Sequence, residues 1–227
     1  MKKIFNCGIL VAYLLVGCDT NHTSEYNSIS RYDIDGYESF IEKYPTSIHV
    51  SAARERIEVE KERQRQEEEH RILEEKQRQL EYAYGSNSLP NASQPYVKWY
   101  GKNSYYDDYT PHSEIRIKAP YNSDVIAIVR YNNQNGRVAG HRYIQAGNSA
   151  TIYLKNGQYY QTFFYYGKGW YPDKEMKNGI KGGFIKGEAF SKDGSPSLLD
   201  NEILTYELTL QTDGNFQTSS SNENEIF

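Results

Sequence analysis

Acid–base or metal chemistry needs carboxylates, imidazoles, hydroxyls or thiols held close together. The densest such set in this chain is Asp107, Asp108, His112 and Glu114, with Pro111 bending the run between them. Oxygen-rich loops of this kind can hold a divalent cation, but the set lacks the alternating Asp or Asn spacing and the glycine of an EF-hand. The preferred expectation is therefore a solvated acidic loop, with no metal and no cofactor. His141 stands beside Arg142 in a strand-like stretch without a neighbouring carboxylate, and reads as a surface or packing histidine rather than a general base. There is no Gly-x-Ser-x-Gly elbow, no His-Glu-x-x-His pair and no Gly-x-x-x-x-Gly-Lys phosphate loop. The glycines of Asn178-Gly179-Ile180-Lys181-Gly182-Gly183 match no nucleotide fingerprint and read as a loop between strands. An enzyme is not expected, and a hydrolase of unknown type ranks third among the functional readings.

Aromatic residues make a stronger case for recognition. The chain has 22 tyrosines against two tryptophans and two methionines. Rings gather at Trp99-Tyr100, Tyr105-Tyr106 and Phe163-Phe164-Tyr165-Tyr166-Gly167-Lys168-Gly169-Trp170-Tyr171. Side chains alternate across a strand, so only about half of these rings can face one core. Trp99, Tyr100, Tyr165, Trp170 and Tyr171 are the candidates for an exposed surface that binds protein or stacks on sugar. The competing expectation is that Tyr160, Phe164 and Tyr166 fill one side while Tyr159, Phe163 and Tyr165 are covered by a second sheet, by the amino-terminal helices or by a dimer partner.

These rings must be positioned by strands. Ile115 and Ile117 alternate with charged residues, predicting a strand with one wet face. Val125 to Val129 is apolar throughout, as a central strand covered on both sides requires. Val138 to Gln145 predicts another strand, and Asn156-Gly157 predicts a type I′ hairpin joining Ala150–Leu154 to Gln158–Tyr166. Leu204, Tyr206, Leu208 and Leu210 mark a late strand. Seven or eight short strands with little helix predict an antiparallel β-sandwich over residues 96–216, immunoglobulin-like in broad architecture, after a linker at 85–95 and before a polar tail at 217–227.

The preceding region has a helical period. Tyr37, Phe40, Ile41 and Tyr44 share one helical face, Pro45 ends that helix, and Thr46 or Ser47 can cap a second whose inner face shows Val50, Ala53 and Ile57. Residues 54–81 are nearly all Glu, Arg, Gln and Lys, with opposite charges four apart at Arg54 and Glu58, Glu67 and Arg71, and Glu74 and Arg78. No apolar residue falls between Val59 and Ile72, so a coiled-coil seam is missing and a solvated single helix is favoured over a loose dimeric coil. At ~1.5 Å rise per residue such a helix reaches roughly 55 Å. The fold class expected is thus α+β: a helical hairpin running into a charged stalk over 34–84, then the β-sandwich.

Two segments carry a resemblance. Lys2 and Lys3, the apolar run from Ile9 to Val16, and Leu15-Val16-Gly17-Cys18 resemble a bacterial lipoprotein signal peptide with its lipobox. The resemblance implies that residues 1–17 are removed, that Cys18 is diacylated, and that the protein is held at a membrane of the bacterial cell envelope. A secretory peptide or a membrane helix holding a cysteine there is the alternative; the apolar run is short of the ~20 residues a span needs. Asp19 after Cys18 favours inner-membrane retention in some members of that family, which leaves inner and outer membrane both open. Residues 18–33 then read as a flexible tether. The segment Tyr37-x-x-Phe40-Ile41-x-x-Tyr44-Pro45-x-Ser47-x-x-x-x-Ala52-Ala53-x-x-x-Ile57 resembles one tetratricopeptide-type hairpin, as in envelope assembly and scaffold lipoproteins. That resemblance implies protein binding in a groove of stacked hairpins, which a single hairpin does not form.

Loss of residues 1–17 removes Lys2, Lys3 and Cys7, leaving 24 basic residues against 30 acidic ones and only Cys18 as a thiol. Nucleic acid is not an expected partner, since binding it requires clustered positive charge. Disulfide and thiol chemistry are excluded on the same count. The function expected is a non-catalytic, lipid-anchored envelope protein presenting a tyrosine-rich domain to a protein partner, with a cell-surface carbohydrate-binding module as the alternative.

Overall fold

The structure is a computed structural model and describes residues 22–103, 112–132, 136–209 and 218–227. The chain divides into two units, Met1–Lys76 and Gln77–Phe227. Among the described residues no helix is long and apolar enough to cross a membrane.

In the first unit, residues 22–28 form α1, Ile34–Lys43 form α2, and α3 begins at Val50 and runs to Tyr84. Asp33 caps α2 by accepting from the Gly36 N–H at 2.8 Å. The helix closes where the Tyr44 N–H reaches the Phe40 carbonyl, immediately before Pro45. Its buried Tyr37 and Phe40 pack on Ala53 and Ile57 of α3, as the helical period predicts. Helix α1 corrects the expectation of a tether over 18–33. Tyr26 stacks on His49 with ring centroids 4.7 Å apart and meets Phe40 edge-on. Glu25 accepts from Lys43 at 2.7 Å and from the Tyr44 hydroxyl. Aromatic stacking and two ionic hydrogen bonds hold this helix, and none of them leaves an aliphatic period. The expected cap at Thr46 or Ser47 is displaced: Ser47 accepts from the His49 N–H at 3.3 Å, one turn ahead of the helix start.

Beyond Glu60 the first unit's part of α3 is solvated, with Ile72 and Leu73 both exposed. Glu60 is buried and its pKa is lowered, chiefly by Arg63, which bonds to its carboxylate. One expected pair is exchanged: Arg71 pairs back to Glu68 at 2.7 Å, while Glu67 pairs with Arg63. Such pairs are worth only a few tenths of a kcal/mol each at best.

The second unit is a two-sheet sandwich. Its strands are β1 (His112–Lys118), β2 (Asp124–Tyr131), β3 (Val138–Ile144), β4 (Ser149–Lys155), β5 (Gln158–Glu175), β6 (Lys181–Asp193), β7 (Ser197–Leu199), β8 (Ile203–Glu207) and β9 (Thr218–Ser220). The larger sheet has the order β3-β2-β5-β6-β9, with β7 also on β5; the smaller is β4-β1-β8. All pairings are antiparallel except β1 with β8. The α+β class and the sandwich match expectation. Between the sheets Ile115, Ile117, Ile152, Leu154 and Tyr206 meet Val125, Ala127, Val129, Phe164 and Tyr166. β2 is buried on both faces, as its uninterrupted apolar run requires.

Three expectations are corrected. Asn156-Gly157 joins no hairpin: β4 pairs with β1 and β5 with β2, so the turn carries the chain from one sheet to the other. Asn156 Oδ1 holds it by accepting from the Ser113 hydroxyl at 2.6 Å and the Asn201 N–H at 2.9 Å. The physical reason lies in burial, since β4 keeps a wet face while β5 is covered on both. The linker at 85–95 is part of the domain. Ala92 donates to the Tyr143 carbonyl and Tyr143 to the Ser93 carbonyl, both at 2.8 Å, so the segment lies along β3. The tail at 217–227 also folds in. β9 pairs with β6, a short helix α5 (Glu223–Ile226) follows, and Ile226 and Phe227 enter the core.

Candidate functional site

On the large sheet's other face, Ile126, Ile128, Tyr143, Phe163 and Tyr165 are covered by irregular chain that brings in Tyr96, Met176, Ile180, Ile226 and Phe227. Most buried tyrosines of the domain have partners for their hydroxyls. Tyr143 donates to Asp124, which also takes the Ser88 hydroxyl at 3.0 Å and the Ala146 N–H at 2.8 Å. Tyr165 donates to Glu188 and accepts from the Phe184 N–H at 2.8 Å, while Lys174 neutralises the same carboxylate. Tyr206 donates to Asp193 at 2.6 Å and Tyr96 to the Gly182 carbonyl at 3.0 Å. Burial and the neighbouring carboxylate keep Tyr143, Tyr165 and Tyr206 protonated, with pKa values pushed above the ordinary phenol range.

One cavity breaks this pattern. Its volume is about 610 Å³, and it is lined among others by Trp99, Tyr100, Lys102, Arg130, Arg137 and His141. Among the described residues, four buried side-chain polar atoms have no hydrogen-bond partner: Tyr100 Oη, Arg130 Nε, His141 Nδ1 and Ser93 Oγ. The first three belong to cavity-lining residues.

Each is fixed by its own local structure. Tyr96 precedes the single-turn helix α4 (Val97–Tyr100) and is completely buried. Its N–H donates to His141 Nε2 at 3.0 Å, and its ring packs edge-on against Trp99, Tyr100 and Phe227. α4 therefore projects Trp99 and Tyr100 from a rigid base. Gly101 turns the chain at φ 77°, a left-handed conformation that favours glycine. Asn103 then closes the loop by donating to the Ala139 carbonyl at 2.8 Å. Arg130 sits where β2 meets β3 with a register shift, and its two Nη groups donate to the Gly136 carbonyl at 2.6 Å and the Ile226 carbonyl at 2.7 Å. Backbone carbonyls orient this guanidinium without neutralising it. Tyr100 lies between the two groups, its ring 5.9 Å from Arg130 Cζ and 5.8 Å from the His141 ring.

Because His141 Nε2 accepts a hydrogen bond, the neutral ring carries its proton on Nδ1, and the unpartnered atom is a donor. Burial, with the Arg142 charge alongside, lowers the His141 pKa to about 4, and the Gln94 carbonyl only partly opposes this. Burial likewise raises the Tyr100 pKa, against the charge of Arg130 and a side-chain hydrogen-bonding contribution from it. At neutral pH the residues that line the cavity thus carry buried donors and positive charge. Its described lining holds no Asp or Glu.

The five aromatic candidates are divided by the fold. Trp99 and Tyr100 are half-buried and line the cavity. Tyr165 and Trp170 are corrected to core positions, 0% and 6% exposed, where no ring face is free for a partner. Trp170 packs edge-on against Tyr143 and Phe184, and a Cβ on Gly182 would collide with its ring. Tyr171 packs on Tyr84 at 4.6 Å. Of the acidic set, Asp107 and Asp108 lie outside the described residues, while His112 Nε2 and Glu114 Oε1 are 3.6 Å apart on β1. Among the described residues no group of three His, Cys, Asp or Glu could hold a metal ion. His141, expected as a surface or packing residue, is fully buried and packs against the Tyr96 and Tyr100 rings. Arg130 and Arg137 were not visible as site residues: they stand on either side of residues 132–136 in the sequence, and only the polar Arg130 ending an apolar run hinted at a constraint.

Compared with protein-family models, with curated proteins and with solved structures, the chain matches none of them.

Proposed function

We propose that this protein is a non-catalytic, lipid-anchored component of the bacterial cell envelope whose β domain binds a partner through the Trp99–Tyr100 cavity. The observation that carries the binding role is that Tyr100, Arg130 and His141, which all line one cavity, each hold a buried polar atom without a partner in good hydrogen-bond geometry. Buried polar groups are ordinarily paired, and leaving one unpaired costs about 1–3 kcal/mol. A ligand that supplies acceptors recovers that cost. The non-catalytic reading is supported by the same lining: His141 has its Nε2 engaged and a pKa near 4, and no described carboxylate stands by to act with it. The anchor rests on Lys2, Lys3, the apolar run and Cys18 after Gly17.

A protein partner in the envelope is the first reading. A carbohydrate ligand is the second, favoured by the Trp99 ring beside a polar cavity of small-ligand size. Both are tested with the full chain in neutral detergent, offered to a glycan array and to defined envelope proteins. Binding lost on Trp99→Ala, with an unchanged circular dichroism spectrum, is the expected result; retention of all binding by that variant removes the cavity from the proposal. For the anchor, Cys18→Ala should abolish metabolic labelling with a fatty acid, and normal labelling of the variant would sink the lipoprotein reading.

A further inference from the structure

The cavity's chemistry is one-sided. Arg130 and His141 Nδ1 are obligatory donors, Tyr100 is free to donate, and Lys102 and Arg137 are exposed cations at the same cavity. Asn103, also in the described lining, spends its Nδ2 on the Ala139 and Tyr153 carbonyls, and its Oδ1 faces Arg142 Nη2 at 3.5 Å. A ligand that fits must bring acceptors and negative charge. We infer that the cavity is an oxyanion site for a sugar acid, with a carboxylate directed to Arg130, Arg137 and Tyr100 and the sugar ring lying beside Trp99. This inference rests on the binding role proposed above and names its ligand.

Two features favour a sugar acid over an acidic peptide. Sugar hydroxyls accept as readily as they donate, so a donor-rich wall satisfies them. Peptide N–H groups only donate, and the lining side chains offer them few acceptors, the Tyr100 hydroxyl and Asn103 Oδ1, the latter already taken by Arg142 at 3.5 Å. A ring bearing axial C–H groups also packs on an indole face, and about 610 Å³ suits one or two sugar rings within the ~300–1,000 Å³ of ordinary ligand pockets. The order of contacts follows from burial. Exposed Lys102 and Arg137 meet the anion first. Tyr100 Oη and Arg130 Nε are shielded from solvent, in a poorly screened environment, so on this inference the carboxylate reaches them only by displacing the side chains above them. Two carbonyls already fix the plane of the Arg130 guanidinium.

Isothermal titration calorimetry on the full chain in neutral detergent decides the matter, with sodium glucuronate, glucose, inorganic phosphate and a capped aspartyl dipeptide as probes. Glucuronate is expected to bind at least about tenfold more tightly than the other three, reflecting charge-assisted hydrogen bonds, and to weaken as salt rises. Arg130→Gln and Tyr100→Phe should each weaken it by about tenfold or more. Arg130 also ties two carbonyls, so exposed Arg137→Ala serves as the variant that keeps the fold, with an expected loss of roughly threefold to tenfold. Glucose binding as tightly as glucuronate, phosphate or the dipeptide binding more tightly, or no effect of Arg137→Ala and Tyr100→Phe would each overturn the inference. If no probe binds while another partner is still lost on Trp99→Ala, the sugar-acid inference fails and the binding role stands. If that partner also survives Trp99→Ala, both fail.

Discussion

The large sheet buries both of its faces, but by different means. On the inner face, strands cover strands: Val125, Ala127, Val129, Phe164 and Tyr166 meet the alternate residues of β1 and β4. On the outer face the cover is irregular chain, drawn from residues 87–101, the turn between β5 and β6, and Ile226-Phe227. An irregular cover has no ladder of its own and must be pinned bond by bond. Asp124 pins Ser88, Gln145 takes the Leu89 carbonyl at 3.0 Å, His141 takes the Tyr96 N–H, and Asn178 reaches the Phe227 carbonyl at 2.8 Å. The inner face is therefore held chiefly by packing, and the outer face by packing plus a set of separable polar contacts. The candidate site lies on the second, where the pins leave three polar atoms unused.

The sharpest way to break this comparison is a deletion on the inner face. Phe164 is fully buried and meets Tyr206 edge-on across the sandwich at 5.2 Å. Phe164→Ala should destabilise the domain by about 3–5 kcal/mol through lost burial and the cavity left behind. Chemical denaturation should show one transition moved as a whole, because that face joins both sheets. Separate loss of the 87–101 cover in this variant would contradict the division proposed here.

The same contrast explains what was legible beforehand. Strands with one wet face or an unbroken apolar run declare themselves by period, and β1, β2, β3 and β4 lie where the alternation of Ile115, Ile117 and their neighbours put them. Pairing is another matter. Asn156-Gly157 has the residues of a hairpin turn, yet which sheet each flanking strand joins depends on burial of both faces of β5, a property of distant chain. The cover was missed because Tyr96, Ile226 and Phe227 are isolated apolar residues in polar surroundings, with no period to report their burial. The ring-rich run 163–171 promised an exposed surface for the same reason, since nothing local says that irregular chain covers its second face. At the site, Trp99 and Tyr100 were readable as an aromatic pair. Arg130, Arg137 and His141 were not, because what joins them is the meeting of β2, β3 and α4.

Acid should act on the outer face alone. His141 ordinarily titrates near 6.5 in an unfolded chain, and in the fold its pKa is about 4. The unfolded chain then binds the extra proton between these values, so the contribution is intact above about pH 6.5 and is lost as pH falls towards 4, by roughly 3 kcal/mol at most. Hydrogen exchange at Tyr96 to Gly101 should accelerate over that window while β1 and β4 amides hold. His141→Gln, which keeps an acceptor for the Tyr96 N–H, should flatten the dependence. Equal acceleration on both faces would mean that the pins are not separable.

The smallest effect expected comes from changing the charge of one pin while keeping its shape. Asp124 accepts three hydrogen bonds, from Tyr143, Ser88 and the Ala146 N–H. In Asp124→Asn the side-chain oxygen can keep the Ala146 N–H, and the new amide can donate to the Tyr143 or Ser88 hydroxyl once these rotate to accept. What is lost is the strength that an ionised acceptor adds, about 1 kcal/mol or somewhat more. Asp124→Ala removes the acceptor altogether and should cost more, leaving the buried Tyr143 hydroxyl with only the Ser88 hydroxyl at 3.2 Å. Denaturation midpoints of the two variants measure the difference. Both should loosen residues 87–93 ahead of the sandwich interior, because the bond to Ser88 ties that segment to β2, whereas the inner face owes nothing to it.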